Sequence, residues 1–180
     1  MSSVTAPRLR CSVFIAISAD GYIARSDGGL DWLEAVAQPG EDYGYKAFAD
    51  SVDVLAIGRN TYDTALAFAQ WPYGSKRCVV LTHRPAQTHH NEEFFNGGPR
   101  ALIDKLSAEG ARHVYVDGGH VIRSFLGQRL IDEVTLSIVP VLLGAGIPLF
   151  QAGSAEQRLK LLSSRAFETG LVQLRYGAAS

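Results

Sequence analysis

The chain has 180 residues, a formal net charge of −1, 47% hydrophobic residues and 19% charged residues. This is the composition of a globular protein long enough to bury a core of its own. It excludes the basic footprint of a nucleic-acid binder and gives no electrostatic case for an anionic membrane surface.

The start, MSSVTAPRLR, lacks the apolar core of a signal peptide, and residues 1–9 read as a flexible extension of one domain spanning 1–180. No apolar run approaches the ~20 residues of a membrane span. RCSVFIAIS then reads as a strand buried on both faces. SADGYIARSDGGLDWL follows as a long loop with two Asp-Gly turns, the kind of loop that often carries function. Residues 41–51 (EDYGYKAFADS) read as a helix with Tyr45 and Phe48 on one face. DVLAIG is a second buried strand, and RNTYDTALAFA starts and continues a helix. KRCVVLTHRP is a third strand, ended by Pro85, and HHNEEFFNGG reads as turn-rich and solvent-like.

PRALIDKLSAEGA is a helix with Leu102, Ile103 and Leu106 on one face and a stop at Gly110. HVYVDGG is a strand, and HVIRSFLGQRLID is a helix carrying Ile122, Phe125, Leu126 and Leu130 on its apolar side. EVTLSIVPVLLG is a strand that Pro140 bends or ends, and GAGIPLF is a loop. RLKLLSSRAFETGLVQLRYG reads as two strands around Glu168-Thr169-Gly170, with Val172, Leu174 and Tyr176 on one face. The order predicts an α/β fold: a mainly parallel sheet, helices on both faces, and an antiparallel C-terminal hairpin. Cys11 and Cys78 lie far apart in apolar strands, which suits buried reduced thiols in a reducing cytoplasm.

Ligands of such sheets sit at the carboxyl ends of the strands. Three of those ends share a theme. DVLAIG stops at Gly58 and enters a helix at Arg59-Asn60-Thr61, and HVYVD stops at Gly118-Gly119 before another helix. Glycine before a helix start can cradle a phosphate with backbone N–H groups. CVVL stops at Thr82-His83-Arg84, where hydroxyl, ring and guanidinium donors match another phosphate. Each element alone has a plainer reading, a simple turn, an N-cap or a surface charge. Three together suggest a dinucleotide with an extra phosphate, which NADPH satisfies. No GxGxxG follows the first strand, and neither a GxSxG elbow nor a P-loop occurs. His89 and His90 are adjacent, so their rings diverge from a shared metal, and no metal site is expected. Trp32 and Trp71 read first as packing residues.

SVFIAISADGYIA, VLAIGRNTYD, VVLTHRP and VYVDGGHVIRSFLGQRLIDEVTLSIVPVLLGAGIPLF, in that order, carry a resemblance over Cys11 to about Tyr176. The chain resembles the dihydrofolate-reductase-like superfamily, most closely the reductases similar to the C-terminal domain of the bifunctional riboflavin biosynthesis protein. The resemblance implies that Ala16 offers its backbone to the nicotinamide amide of NADPH. It sets Gly58, Arg59, Asn60 and Thr61 along the diphosphate, and Thr82, His83 and Arg84 around the adenosine 2′-phosphate. Gly118, Gly119, His120 and Val121 would close over the diphosphate and nicotinamide. Asp42 would stand near the superfamily's ring-binding carboxylate, or simply stabilise a helix dipole. The riboflavin reductases' Gly-Glu-Ser-like stretch is replaced here by Ser26-Asp27-Gly28-Gly29-Leu30-Asp31 before Trp32. There is no Cys/His zinc pattern of a fused deaminase.

The expected activity is NADPH-dependent hydride transfer to a heterocyclic or ribosylamino-pyrimidine substrate. The alternatives are a dihydrofolate or pteridine reductase, or a non-catalytic NADPH-binding regulatory module. Asp20 and Asp42 are the candidates for orienting substrate or relaying a proton, although Asp20 equally opens an Asp-Gly turn. Asp20, Trp32, Asp42 and Ser137 would face substrate. A homodimer is expected through EVTLSIVPVLLG and the C-terminal hairpin, read as apolar sheet-edge strands.

Overall fold

The structure, a computed structural model, describes residues 8–84 and 86–179. An eight-stranded sheet dominates it. Six strands run parallel: β1 (Arg10–Ser18), β3 (Val54–Gly58), β4 (Arg77–Leu81), β5 (Glu92–Phe95), β6 (His113–Asp117) and β7 (Glu133–Val139). β9 (Leu159–Ala166) and β10 (Val172–Ala178) close one side as an antiparallel hairpin. The order across the sheet is β5-β4-β3-β6-β1-β7-β10-β9. β2 (Tyr22–Ala24) pairs with β8 (Ile147–Pro148) in a small ribbon of its own.

Both faces are covered, as continuous apolar strands require. In β3, Val54 and Ala56 join one core with Leu102 and Leu106 of α3 (Pro99–Ala108) and Val121, Ile122 and Phe125 of α4 (Gly119–Gly127). Leu55 and Ile57 join the other, with Tyr62 of α2 (Arg59–Leu66) and Phe48 of α1 (Tyr45–Asp50). The two faces are thus covered by different helices. Cys11 and Cys78 are free and buried, and burial pushes the Cys11 thiol up to about 12. Among the described residues no helix is long and apolar enough to cross a membrane.

Several expectations change. The helix read over HVIRSFLGQRLID stops at Gly127, and Arg129 at φ 54° turns Leu130 into the core from outside it. Four more concern other segments. Leu9 belongs to the core, only 5% exposed, so the chain is anchored before residue 10; residues 1–7 of the expected extension, like Pro85, lie outside the described residues. α1 starts at Tyr45 because Tyr43 and Gly44 both take positive φ, 54° and 81°, and break the helical path. The expected loop GAGIPLF contains β8, whose partner β2 lies 125 residues back where periodicity gives no signal.

The fourth is the stretch expected to be solvent-like, which contains the edge strand β5 and a buried carboxylate, Glu92. Burial alone would raise its pKa. Donation from the Tyr62 hydroxyl (2.6 Å) and the N–H groups of His89 and His90 (2.6 and 2.9 Å) outweighs that and holds it at about 2. Glu92 therefore fastens the strand, the preceding turn and α2 together. Its contribution is present above the ordinary carboxylate range and is lost as pH falls towards about 2. Glu92→Gln keeps the shape but removes the charge, and should cost about 1.5–3 kcal/mol in urea unfolding at neutral pH. The gap between variant and parent should close in acid.

Candidate functional site

Parallel register brings the ends of β1, β3, β4, β6 and β7 to one edge. Ala16 pairs with Ser137, Ile57 with Asp117, and Gly58 with Leu81, so these residues stand side by side. Three helices start there. α2 follows Gly58, α3 follows Gly98 and α4 follows Gly118, and among the described residues no side chain caps any of the three. A helix start without a cap leaves backbone N–H groups without partners and concentrates positive potential at that end. Three such ends at one sheet edge form an anion-seeking surface built from backbone alone.

The glycines at these junctions have neighbours inside the protein. Gly118 has φ +90°, and a Cβ there would overlap the Thr61 hydroxyl of α2. A Cβ on Gly119 would stand 2.7 Å from Ile23 Cδ1, and one on Gly58 3.0 Å from Val121 Cγ2. Missing side chains thus let α2, α4 and β2 close upon each other. The sequence reading assigned this space to a bound ligand; the chain itself fills part of it.

A cleft of about 510 Å³ opens in front of these junctions, lined by Phe14, Ala16, Asn60, Thr61, Asp117 and Gly118 among others. A second, of about 300 Å³, shares Phe14, Ala16 and Leu33 with it and adds Asp42, Tyr43 and Ser137. A third hollow of about 330 Å³ lies beyond Val121, lined by Thr82, His83, Asn96, Gly98 and His120. The His83 Nδ1 is 2.6 Å from Asn96 Oδ1. The backbone of Arg84 is fastened, its N–H to the Thr82 hydroxyl (3.1 Å) and its carbonyl to Arg59 (3.1 Å). Its guanidinium makes no hydrogen bond among the described residues and is exposed. Arg59 also pairs with Asp63 at 2.8 Å, which directs it along the outside of α2.

Asp117 is the residue that sequence reasoning missed. Desolvation raises its pKa to about 6, and the Gly118 N–H (2.9 Å) and the Tyr115 hydroxyl only partly oppose that. It is a carboxyl able to carry a proton inside the large cleft. Its signal was an acid placed at the end of an otherwise apolar buried strand.

The structure separates the other candidates. Asp20 stands outside all three hollows: its carboxylate accepts from Ser18 Oγ (2.6 Å) and from the N–H groups of Leu143 and Gly144 (3.1 and 2.7 Å). These bonds hold it below the ordinary range and tie two loops together. Asp42 does line the second cleft, but its oxygens accept the N–H groups of Gly44 and Lys46, both at 2.9 Å, as a brace for α1. Trp32 is 4% exposed, packs with Val36, Val139 and Leu171, and lines neither cleft. Ser137 lies in the second cleft, its hydroxyl accepting from Gln173 Nε2 at 3.0 Å.

A family model described as the RibD C-terminal domain matches residues 11–173. The chain is similar to the uncharacterized protein YwjB of Bacillus subtilis (strain 168), 36% identical over 168 residues, covering 91% of this chain and 95% of that protein. It is similar to the riboflavin biosynthesis protein RibD of Corynebacterium ammoniagenes, 31% identical over 165 residues. That match covers 82% of this chain and 48% of the relative, so the chain spans about half of that longer protein. A crystal structure of a protein from Shewanella sp. PV-4, provisionally named for riboflavin biosynthesis, superposes with a TM-score of 0.90 at 36% identity, covering 96% of this chain and 100% of that one.

Asp117 yields a test that needs no ligand. Its folded pKa of about 6 exceeds the ordinary 3.8, so the folded state binds the extra proton between those values. The parent should lose roughly 1–3 kcal/mol of stability as pH rises through that window. Asp117→Asn keeps the acceptor for the Gly118 N–H and cannot ionise. Denaturant unfolding from pH about 4 to about 8 should show the variant gaining steadily on the parent, with the gain levelling off above about 6.

Proposed function

We propose that this chain, which belongs to the RibD C-terminal domain family as its match over residues 11–173 shows, is an NADPH-dependent reductase of a heterocyclic substrate. One observation carries the reading. Three uncapped, glycine-preceded helix starts, of α2, α3 and α4, border two hollows at the sheet edge that lie on either side of the α4 start, Gly118 lining one and His120 and Val121 the other. An extended ligand with several phosphates satisfies all three at once. The residues fit NADPH: Asn60, Thr61 and Gly118 line the cleft beside two of the helix starts. Thr82, His83 and His120 line the hollow beside the third, and the exposed Arg84 follows them. Ala16 lines both clefts, so its small side chain marks where cofactor and substrate would touch.

When bound, NADPH supplies a hydride, and the protein's work is alignment and proton supply. An electron-poor carbon–nitrogen double bond gains a C–H bond on carbon and an N–H bond on nitrogen. Asp117 stands in the same cleft and is half protonated near pH 6, so it can give the nitrogen its proton and recover one from water. Asp42 and Ser137 are then contacts for the outer part of the substrate, and Asp20 shapes the rim without meeting it.

The chain is also proposed to form a homodimer, through β9 and not β7, which lies inside the sheet between β1 and β10. β9 is exposed along its whole length, with Leu159, Leu161 and Leu162 at 44%, 53% and 46% exposure. An apolar unpaired edge of this length is normally covered. Leu161→Arg should leave a folded monomer by light scattering where the parent is a dimer.

Arg84→Ala should weaken NADPH binding by about 1.5–3 kcal/mol, the scale of a lost charge-assisted bond, and leave NADH nearly unchanged. Fluorescence titration of both cofactors reads this directly. Equal losses for the two would remove Arg84 from the 2′-phosphate.

A further inference from the structure

The second cleft lacks what a phosphorylated substrate needs. Its walls are mainly apolar, among them Val36, Val139 and Leu171, and its polar residues are Asp42, Ser137, Tyr45 and Tyr43, the last with its hydroxyl already bonded to the Val36 carbonyl and Thr169. Among the described residues lining either this cleft or the larger one, none is Lys, Arg or His. The cations around the rim are directed elsewhere. Arg25 makes two bonds to Asp31 (2.7 and 2.9 Å), and Lys46 pairs with Asp50 at 2.6 Å. The Arg123 guanidinium donates to the Pro148 carbonyl at 2.7 Å, and Arg165 lies 4.3 Å over the Phe167 ring.

The start of α1, beside this cleft, offers no substitute: Asp42 already accepts N–H groups there. These bonds also hold Asp42 below the usual carboxylate range, so it is charged at neutral pH and faces any anion entering the cleft. The larger cleft differs, since its helix starts are open. A phosphate group finds partners on the cofactor side and meets a carboxylate and apolar walls on the substrate side.

We infer that the substrate is a flat, uncharged heterocycle without a phosphate ester, held by apolar walls and by hydroxyl and carboxylate acceptors that suit ring N–H groups. This rests on the reductase reading and narrows it, setting the chain apart from an enzyme of ribosyl-phosphate pyrimidines.

The test uses the full chain loaded with NADP⁺, whose binding is measured first; failure to bind it would overturn the reductase reading itself. Pterin, ribityllumazine and ribityllumazine phosphate are then titrated by calorimetry. Binding of at least one phosphate-free ring is expected, with the phosphorylated compound no tighter than its phosphate-free twin. A phosphate that tightens binding threefold or more would overturn the inference, and so would three silent titrations on protein that holds NADP⁺. Ala37 lines the second cleft and has no part in the proposed chemistry. Ala37→Arg should supply the missing cation and tighten the phosphorylated compound fivefold or more; no change would place the ring elsewhere and overturn the inference as well.

Discussion

Parallel pairing of strands buried on both faces is the constraint from which the rest follows. Parallel strands cannot be joined by tight turns, so each connection must climb over a face of the sheet, and here helices do that between most of them. The same pairing sends β1, β3, β4, β6 and β7 out at one edge in register, with Ala16 beside Ser137 and Ile57 beside Asp117. Every helix that packs back on the sheet must start near that edge, and its open N–H groups come with it. The anion-seeking surface is therefore a by-product of how the core is buried. Where the connection is a tight turn, as between β9 and β10, no such group appears.

Two desolvated carboxylates, Glu92 buried and Asp117 half-buried, show how hydrogen bonds decide charge. Glu92 receives three hydrogen bonds, from Tyr62, His89 and His90, and stays ionised down to about 2. Asp117 has the Gly118 N–H and the Tyr115 hydroxyl beside it, too little to offset desolvation, and its pKa rises to about 6. Both are desolvated; the hydrogen bonds outweigh that at Glu92 and do not at Asp117. The first is a structural bolt. The second is chemically available, and it lies in the cleft.

Much of the fold was legible because strands buried on both faces leave an unbroken apolar record, and glycine before a helical pattern marks a junction. That record reveals Gly58 and Gly118, whose surroundings admit no larger residue without movement. It does not reveal β5, because an edge strand with Glu92 and Glu93 at its start carries charges that read as solvent. β2 and β8 were hidden for another reason: each is too short to show a period, and each depends on a partner distant in sequence. Among the site residues, chain order located those at strand ends. It could not say where Asp20 or Trp32 points, since an Asp-Gly pair and a tryptophan have the same spelling whether they face a ligand or the core. Asp117 was visible as an acid ending an apolar strand, yet its significance depends on burial, which is a property of neighbours from other elements.

The bonds of Asp20 have a mechanical consequence. One side chain, through Ser18 and the N–H groups of Leu143 and Gly144, rivets the bend after β1 to the bend after β7. Those bends are the roots of β2 and β8, which pair with each other a few residues further on. The joint is therefore a truss with two members, a carboxylate and a ribbon, and Ile23 and Ile147 of that ribbon line the large cleft. Cutting the carboxylate would loosen a wall of the cleft from a distance. An Asp20 variant would then weaken ligand binding as a lost contact does, although this aspartate touches neither cleft, and only a measurement of ligand geometry would distinguish a slack frame from a missing contact.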